Sequence, residues 1–86
     1  MNLAEDTVTR AYVFIEVHVG RGPQVARDVA RIEGVTSSDQ VTGPYDVIAV
    51  VEGADLDRLG RLVASAIHAV EGITRTITCI RTRLAS

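Results

Sequence analysis

Apolar and polar positions change period along this chain, and each change marks an element. From Ala11 to Val19 the residues alternate between two faces, with Val13, Ile15 and Val17 on one and Tyr12, Phe14, Glu16 and His18 on the other. That is the period of a strand. Gly20-Arg21-Gly22 interrupts it, and Pro23 suits the first turn of a helix. In that helix Val25, Val29 and Ile32 recur at helical spacing against Gln24, Arg27, Asp28 and Arg31. Gly34 is placed to stop it as the C′ residue. Val35 to Thr42 is a polar strand with the profile of a sheet edge, and Gly43-Pro44 marks a turn. Tyr45 to Glu52 holds Val47 to Val51 without a polar break, the pattern of a central strand covered on both faces. Asp55 caps a second helix, with Leu56, Leu59, Val63, Ile67 and Val70 on its buried side and Asp57, Arg58, Arg61 and His68 toward water. Ile73 to Thr82 reads as a fourth strand.

Two segments end alike: Ala30-Arg31-Ile32-Glu33-Gly34-Val35-Thr36 and Ala69-Val70-Glu71-Gly72-Ile73-Thr74. Each closes a helical pattern with Glu-Gly and opens a β-branched run, so one strand–helix–strand unit is used twice. A doubled unit of this length predicts an α+β, ferredoxin-like βαββαβ sandwich. Its four-stranded antiparallel sheet carries both helices on one face, joined by right-handed crossovers. The first and third strands then lie in the middle. Two helices cover only one sheet face, yet both central strands are apolar on both. The second face, with Tyr12 and Phe14, is expected to be covered by another subunit in a face-to-face homodimer, with larger assemblies also expected.

Composition narrows the functional classes. The chain is long enough for one domain with a thin core, placed at residues 11–83 between a lead-in at 1–10 and a tail at 84–86. The single cysteine, Cys79, excludes an internal disulfide framework, fits a reducing cytoplasm, and reads as a small buried hydrophobe. The start is polar and acidic, unlike a secretory signal, and no apolar run reaches membrane-spanning length. A net charge of −2 and three aromatic residues, Tyr12, Phe14 and Tyr45, argue against direct nucleic-acid binding. Two histidines and one cysteine without ligand spacing point to no metal, and nothing points to a cofactor. Gly20-Arg21-Gly22 lacks the third glycine of a dinucleotide fingerprint.

Candidate chemistry collects at Val41-Thr42-Gly43-Pro44-Tyr45-Asp46. An exposed carboxylate at the exit of a glycine turn can hold the ammonium group of a small ligand through Asp46, although a plain hairpin with Asp46 capping the turn uses the same residues. Glu16 and His18 suggest a different chemistry. A carboxylate and an imidazole between two sheets suit a polar network closing a dimer, with acid–base work in a small dimeric α+β barrel enzyme as the alternative.

The Val-Thr-Gly-x-Tyr-Asp pattern, followed by an apolar strand, a helix, Glu-Gly-Ile and a Thr-rich strand, resembles the effector-binding module of the Lrp/AsnC family. The resemblance runs from about Ala11 to Thr82, and the Gly-x-Tyr-Asp hairpin is its most specific part. It implies a domain for the regulation of amino-acid metabolism that dimerises through its sheets and binds amino acids where subunits meet. By position it implicates Gly43, Tyr45 and Asp46, with Thr74 and Thr76 at the start of the last strand. Most members of that family carry a helix-turn-helix domain first, and ten residues before Ala11 cannot form one. The expectation is therefore a non-enzymatic, cytoplasmic amino-acid-binding module, one that modulates a full-length Lrp/AsnC regulator by co-assembly or acts as an amino-acid receptor or buffer.

Overall fold

A computed structural model describes residues 8–82, so the expected tail and most of the expected lead-in lie outside the described residues. The elements are β1 (Thr9–Val17), α1 (Gly22–Ala30), β2 (Val35–Gln40), β3 (Val47–Gly53), α2 (Leu56–Arg61) and β4 (Ile73–Ile80). α2 runs on as a π-helical segment, Leu62–Ile67. The strands form one antiparallel sheet in the order β2-β3-β1-β4, which places the first and third strands centrally, as the apolar pattern predicts.

Alternation along the strands divides the sheet into two faces. Ala11, Val13 and Ile15 of β1 and Val47, Ala49 and Val51 of β3 point to the helices and are fully buried. They meet Val25 and Val29 of α1 and Leu59, Val63 and Ile67 from the second helical segment. Among the described residues no polar or charged side chain is buried, so the core is wholly aliphatic.

Registry fixes the other face. Tyr12 lies opposite Val50 and Cys79, and Phe14 opposite Ile48 and Ile77. Phe14 also meets Tyr45, their ring centroids 5.2 Å apart. Ion pairs bound this apolar field at both ends. Arg10 reaches Glu52 at 2.6 Å and Arg75 reaches Glu16 at 3.4 Å. The Arg10 guanidinium is held above its ordinary pKa, first by its hydrogen bond to Glu52 and then by one to Tyr12.

Several expected boundaries and exposures need correction. β1 begins at Thr9 and ends at Val17, so His18 and Val19 fall beyond the strand, and Val19 is fully exposed. β2 and β4 each stop two residues short of the expected end, and β3 starts at Val47 rather than Tyr45. α1 stops at Ala30, earlier than its apolar spacing suggests, with Arg31 as its C-cap. Gly34 therefore serves the following turn rather than the C′ position, and does so at φ +99°. Leu56, expected in the core, is 60% exposed, because it is the first residue of α2 and the buried contact of that helix is made by Leu59. Cys79 is exposed rather than buried, because its register with Tyr12 puts it on the face the helices do not cover.

Candidate functional site

The hairpin between β2 and β3 is closed by Asp46. Its N–H donates to the carbonyl of Ile15 at 2.9 Å, and its carbonyl accepts from the N–H of Val41 at 2.9 Å. Its carboxylate Oδ2 accepts from the N–H of Val17, also at 2.9 Å. One side chain thus ties the hairpin to the end of the neighbouring strand. Asp46 also lines an open cavity of about 320 Å3, together with His18, Gly20, Gly22, Gln40 and Val41.

The two neighbours named with Asp46 go elsewhere. Tyr45 lies on the uncovered sheet face, its ring against Phe14. Gly43 stands at the exposed tip of the hairpin at φ +150°, with open space around it. Only Asp46 of the three enters the cavity.

Thr74 and Thr76 flank β1 from its other side. The register of β1 with β4 slips between Glu16 and Val17, so Thr74 is the extra residue of a bulge. Thr76 lies opposite Ile15 and faces the helices. Both threonines line a second cavity, of about 260 Å3, with His68, Ile73 and Arg75. The implicated residues therefore sit at one end of the sheet but divide between two cavities and the open face.

His68 lines the cavity with Thr74 and Thr76, a placement that the sequence reading misses. Helical spacing sends it to water, and it is exposed. Its Nε2 nevertheless lies 2.6 Å from Thr76 Oγ1. The cause is the π-helical segment before it, in which the N–H of His68 bonds the carbonyl of Val63 five residues back. Each residue of such a turn advances less about the axis, which swings His68 toward β4. Short π-helical insertions recur at functional sites.

The acid–base reading loses its geometry here. Glu16 pairs with Arg75, and His18 sits past the strand end with its N–H on the carbonyl of Gly72 at 2.9 Å. β1 ends at Val17, so strand alternation no longer sets the direction of His18 relative to Glu16.

Comparison with known proteins gives a consistent result. Residues 10–84 match the profile described as the Lrp/AsnC ligand binding domain. An HTH-type transcriptional regulator of Pyrococcus horikoshii is 28% identical over 75 residues, covering 84% of this chain and 50% of the relative. The chain thus spans about half the length of the curated relatives it first matches. The crystal structure of TTHA0845 from Thermus thermophilus superposes with a TM-score of 0.83 at 31% identity, covering 91% of this chain and 98% of that one. A transcriptional regulator of Neisseria meningitidis, solved as a complex with L-Met, shares the fold at a TM-score of 0.80 and 13% identity, over 96% of this chain and 56% of that one. A homocitrate synthase of Sulfolobus acidocaldarius is 36% identical over 56 residues, 65% of this chain but only 12% of the enzyme.

Proposed function

The chain belongs to the family of Lrp/AsnC ligand binding domains, and from that premise we propose that it is a cytoplasmic, non-enzymatic regulatory module whose effector is an amino acid. The observation that carries this reading is the half-buried carboxylate of Asp46 at a cavity wall. Its Oδ2 is engaged by Val17 N–H, while a carboxylate has acceptor sites to spare for an ammonium group. Gly43, Tyr45, Thr74 and Thr76 complete the effector site where subunits meet, since within one chain they surround different spaces. The L-Met bound by the Neisseria relative supports the ligand class.

The assembly is a homodimer that buries the field of Tyr12, Phe14, Ile48, Val50 and Ile77, with higher oligomers built on it. An apolar patch on two central strands, fenced by ion pairs, has the layout of an interface core and rim. A site shared by subunits binds one oligomeric state better than another, so ligand and assembly are coupled. Through that coupling the module modulates full-length Lrp/AsnC regulators with which it co-assembles.

Calorimetric titration of the protein with each of the twenty amino acids tests the proposal. Selective binding of one or a few, lost in Asp46→Asn, is the expected result. Full affinity in Asp46→Asn would overturn the assignment of the site, and silence across the panel would overturn the effector class.

A further inference from the structure

The uncovered sheet face carries its side chains in ordered rows. Cys79, Tyr12, Val50 and Ser37 form one row across β4, β1, β3 and β2, and Ile77, Phe14, Ile48 and Asp39 form the next. Ser38, between the two β2 residues, donates its hydroxyl to the carbonyl of Ala26 in α1, so Ser37 and Asp39 point the other way. Arg10 and Glu52 close the field at one end, with Arg81 beside them, its N–H on the Arg10 carbonyl at 2.8 Å. Arg75 and Glu16 close it at the other end. The charges are unevenly spread. β2 brings one to this face, the exposed carboxylate of Asp39. The β4 side brings two, Arg75 and Arg81, both basic.

We propose that two copies of the chain pack these faces together about a two-fold axis parallel to the strands, so that β4 of each lies over β2 of the other. The inference rests on the sheet-face homodimer proposed above and adds its orientation. A two-fold pair of aligned sheets has two choices of in-plane axis. With the axis along the strands, rows keep their places and columns exchange. Tyr12 then faces the partner's Val50, Phe14 the partner's Ile48, and Arg10 the partner's Glu52. With the axis across the strands, each column faces itself and the rows exchange. Tyr12 then faces the partner's Phe14, Val50 the partner's Ile48, and Arg81 the partner's Arg75. Volume favours the first choice. A ring against a β-branched chain at every central contact keeps the layer between the sheets even, whereas rings on rings would prop it open beside the aliphatic column. Charge favours it too. The Arg10–Glu52 pair, 2.6 Å apart, meets its own reversed copy, so the four charges alternate in sign. The basic residues of β4 lie over the strand whose one charge is acidic. The second choice sets Arg81 against Arg75 twice, and like charges in register act against an arrangement. The axis along the strands also keeps both β2–β3 hairpins at the end where β4 begins, so the partner's Gly43 stands at the Thr74 end of β4. The other axis sends that hairpin to the Arg81 end.

Two measurements on the full chain test the orientation, alongside sedimentation of the native protein and of Val50→Glu. In a mixed dimer of isotope-labelled and unlabelled copies, filtered NOEs read contacts between subunits alone. Cross-peaks are expected between the Tyr12 ring and Val50 methyls and between the Phe14 ring and Ile48 methyls. Cross-peaks between the Tyr12 and Phe14 rings, with Val50 to Ile48 methyls, would instead overturn the orientation and leave the sheet-face dimer standing. Charge exchange gives the second measurement. Arg10→Glu/Glu52→Arg keeps the pair within a chain and, with the axis along the strands, keeps it between chains. Its dimer dissociation constant should then stay within about threefold of the native value. With the axis across the strands, the new carboxylate at position 10 meets the partner's Glu16, and a loss of about tenfold or more would overturn the proposal. Arg10→Glu alone should weaken the dimer at least that much. A native protein that sediments as a monomer, or a dimer that survives Val50→Glu and shows none of these NOEs, would overturn the sheet-face reading and this inference together.

Discussion

Asp46 and Val17 are joined side chain to backbone, 29 residues apart, by a hydrogen bond of 2.9 Å from the Val17 N–H to the Asp46 carboxylate. The bond explains why the residue most suited to a ligand is also part of the frame. β1 has just lost its register with β4 at Val17, and the Asp46 carboxylate takes up its N–H. A half-buried N–H left unpaired costs about 1–3 kcal/mol. Asp46→Ala is expected to lower stability by about that amount in chemical denaturation. Asp46→Asn keeps an acceptor oxygen for Val17 and should lose well under half as much. Loss of amino-acid binding in Asp46→Asn with near-normal stability would separate the ligand role from the structural one.

The two Glu-Gly echoes make a second pair of predictions. Gly34 and Gly72 adopt φ of +99° and +102°, a region in which side chains are strained. A Cβ on Gly34 would also stand 3.3 Å from the carbonyl oxygen of Glu52 and 2.8 Å from a Leu62 methyl, and one on Gly72 3.1 Å from a Val25 methyl. Gly34→Ala and Gly72→Ala should each destabilise the fold by more than about 1 kcal/mol. Gly60→Ala, in a helix with open space around the new methyl, should stabilise it by up to about 1 kcal/mol. Equilibrium unfolding of the three variants checks the contrast. Equal effects at all three would refute a conformational cause.

The same echo shows why the fold was legible. A repeated unit, apolar runs at Ala11–Ile15 and Val47–Val51 and helical spacing at Val25 and Val29 all point to one arrangement, and local pattern and global topology agree. The site was legible only in part. Asp46 stands out because a carboxylate after a glycine turn is conspicuous, but a motif does not express that Tyr45 and Asp46 point to different places. His68 was hidden because spacing arguments assume 3.6 residues per turn, and the π-helical segment from Leu62 to Ile67 departs from it. Cys79 and Leu56 were misjudged because apolar character alone does not say which sheet face, or which end of a helix, has a covering layer.

If a second copy covers the open sheet face, a charge at its centre should prevent assembly and spare the protomer. Val50 lies between Tyr12 and Ser37 in the sheet and its side chain points away from the helices. Val50→Glu is expected to sediment as a monomer with an unchanged far-UV spectrum. Its dissociation constant should rise by at least about a hundredfold, the cost of burying an unpaired carboxylate in an interface being several kcal/mol. A variant that remains dimeric at micromolar concentration would move the interface to another surface.

Cys79 gives an independent readout of the same face. It is exposed in the single chain and sits opposite Tyr12, within the field that the partner would cover. A thiol reacts only where reagent can reach it. The native assembly should therefore modify slowly with an aromatic disulfide reagent, at a rate that rises as the protein is diluted. The Val50→Glu protomer should react at the rate of an unhindered thiol. Because reactivity follows cover rather than hydrodynamic size, it distinguishes sheet-face pairing from a dimer formed along the β4 edge, which would leave the Tyr12 side of Cys79 open. Fast modification of native, demonstrably dimeric protein would show that subunits join without burying this face.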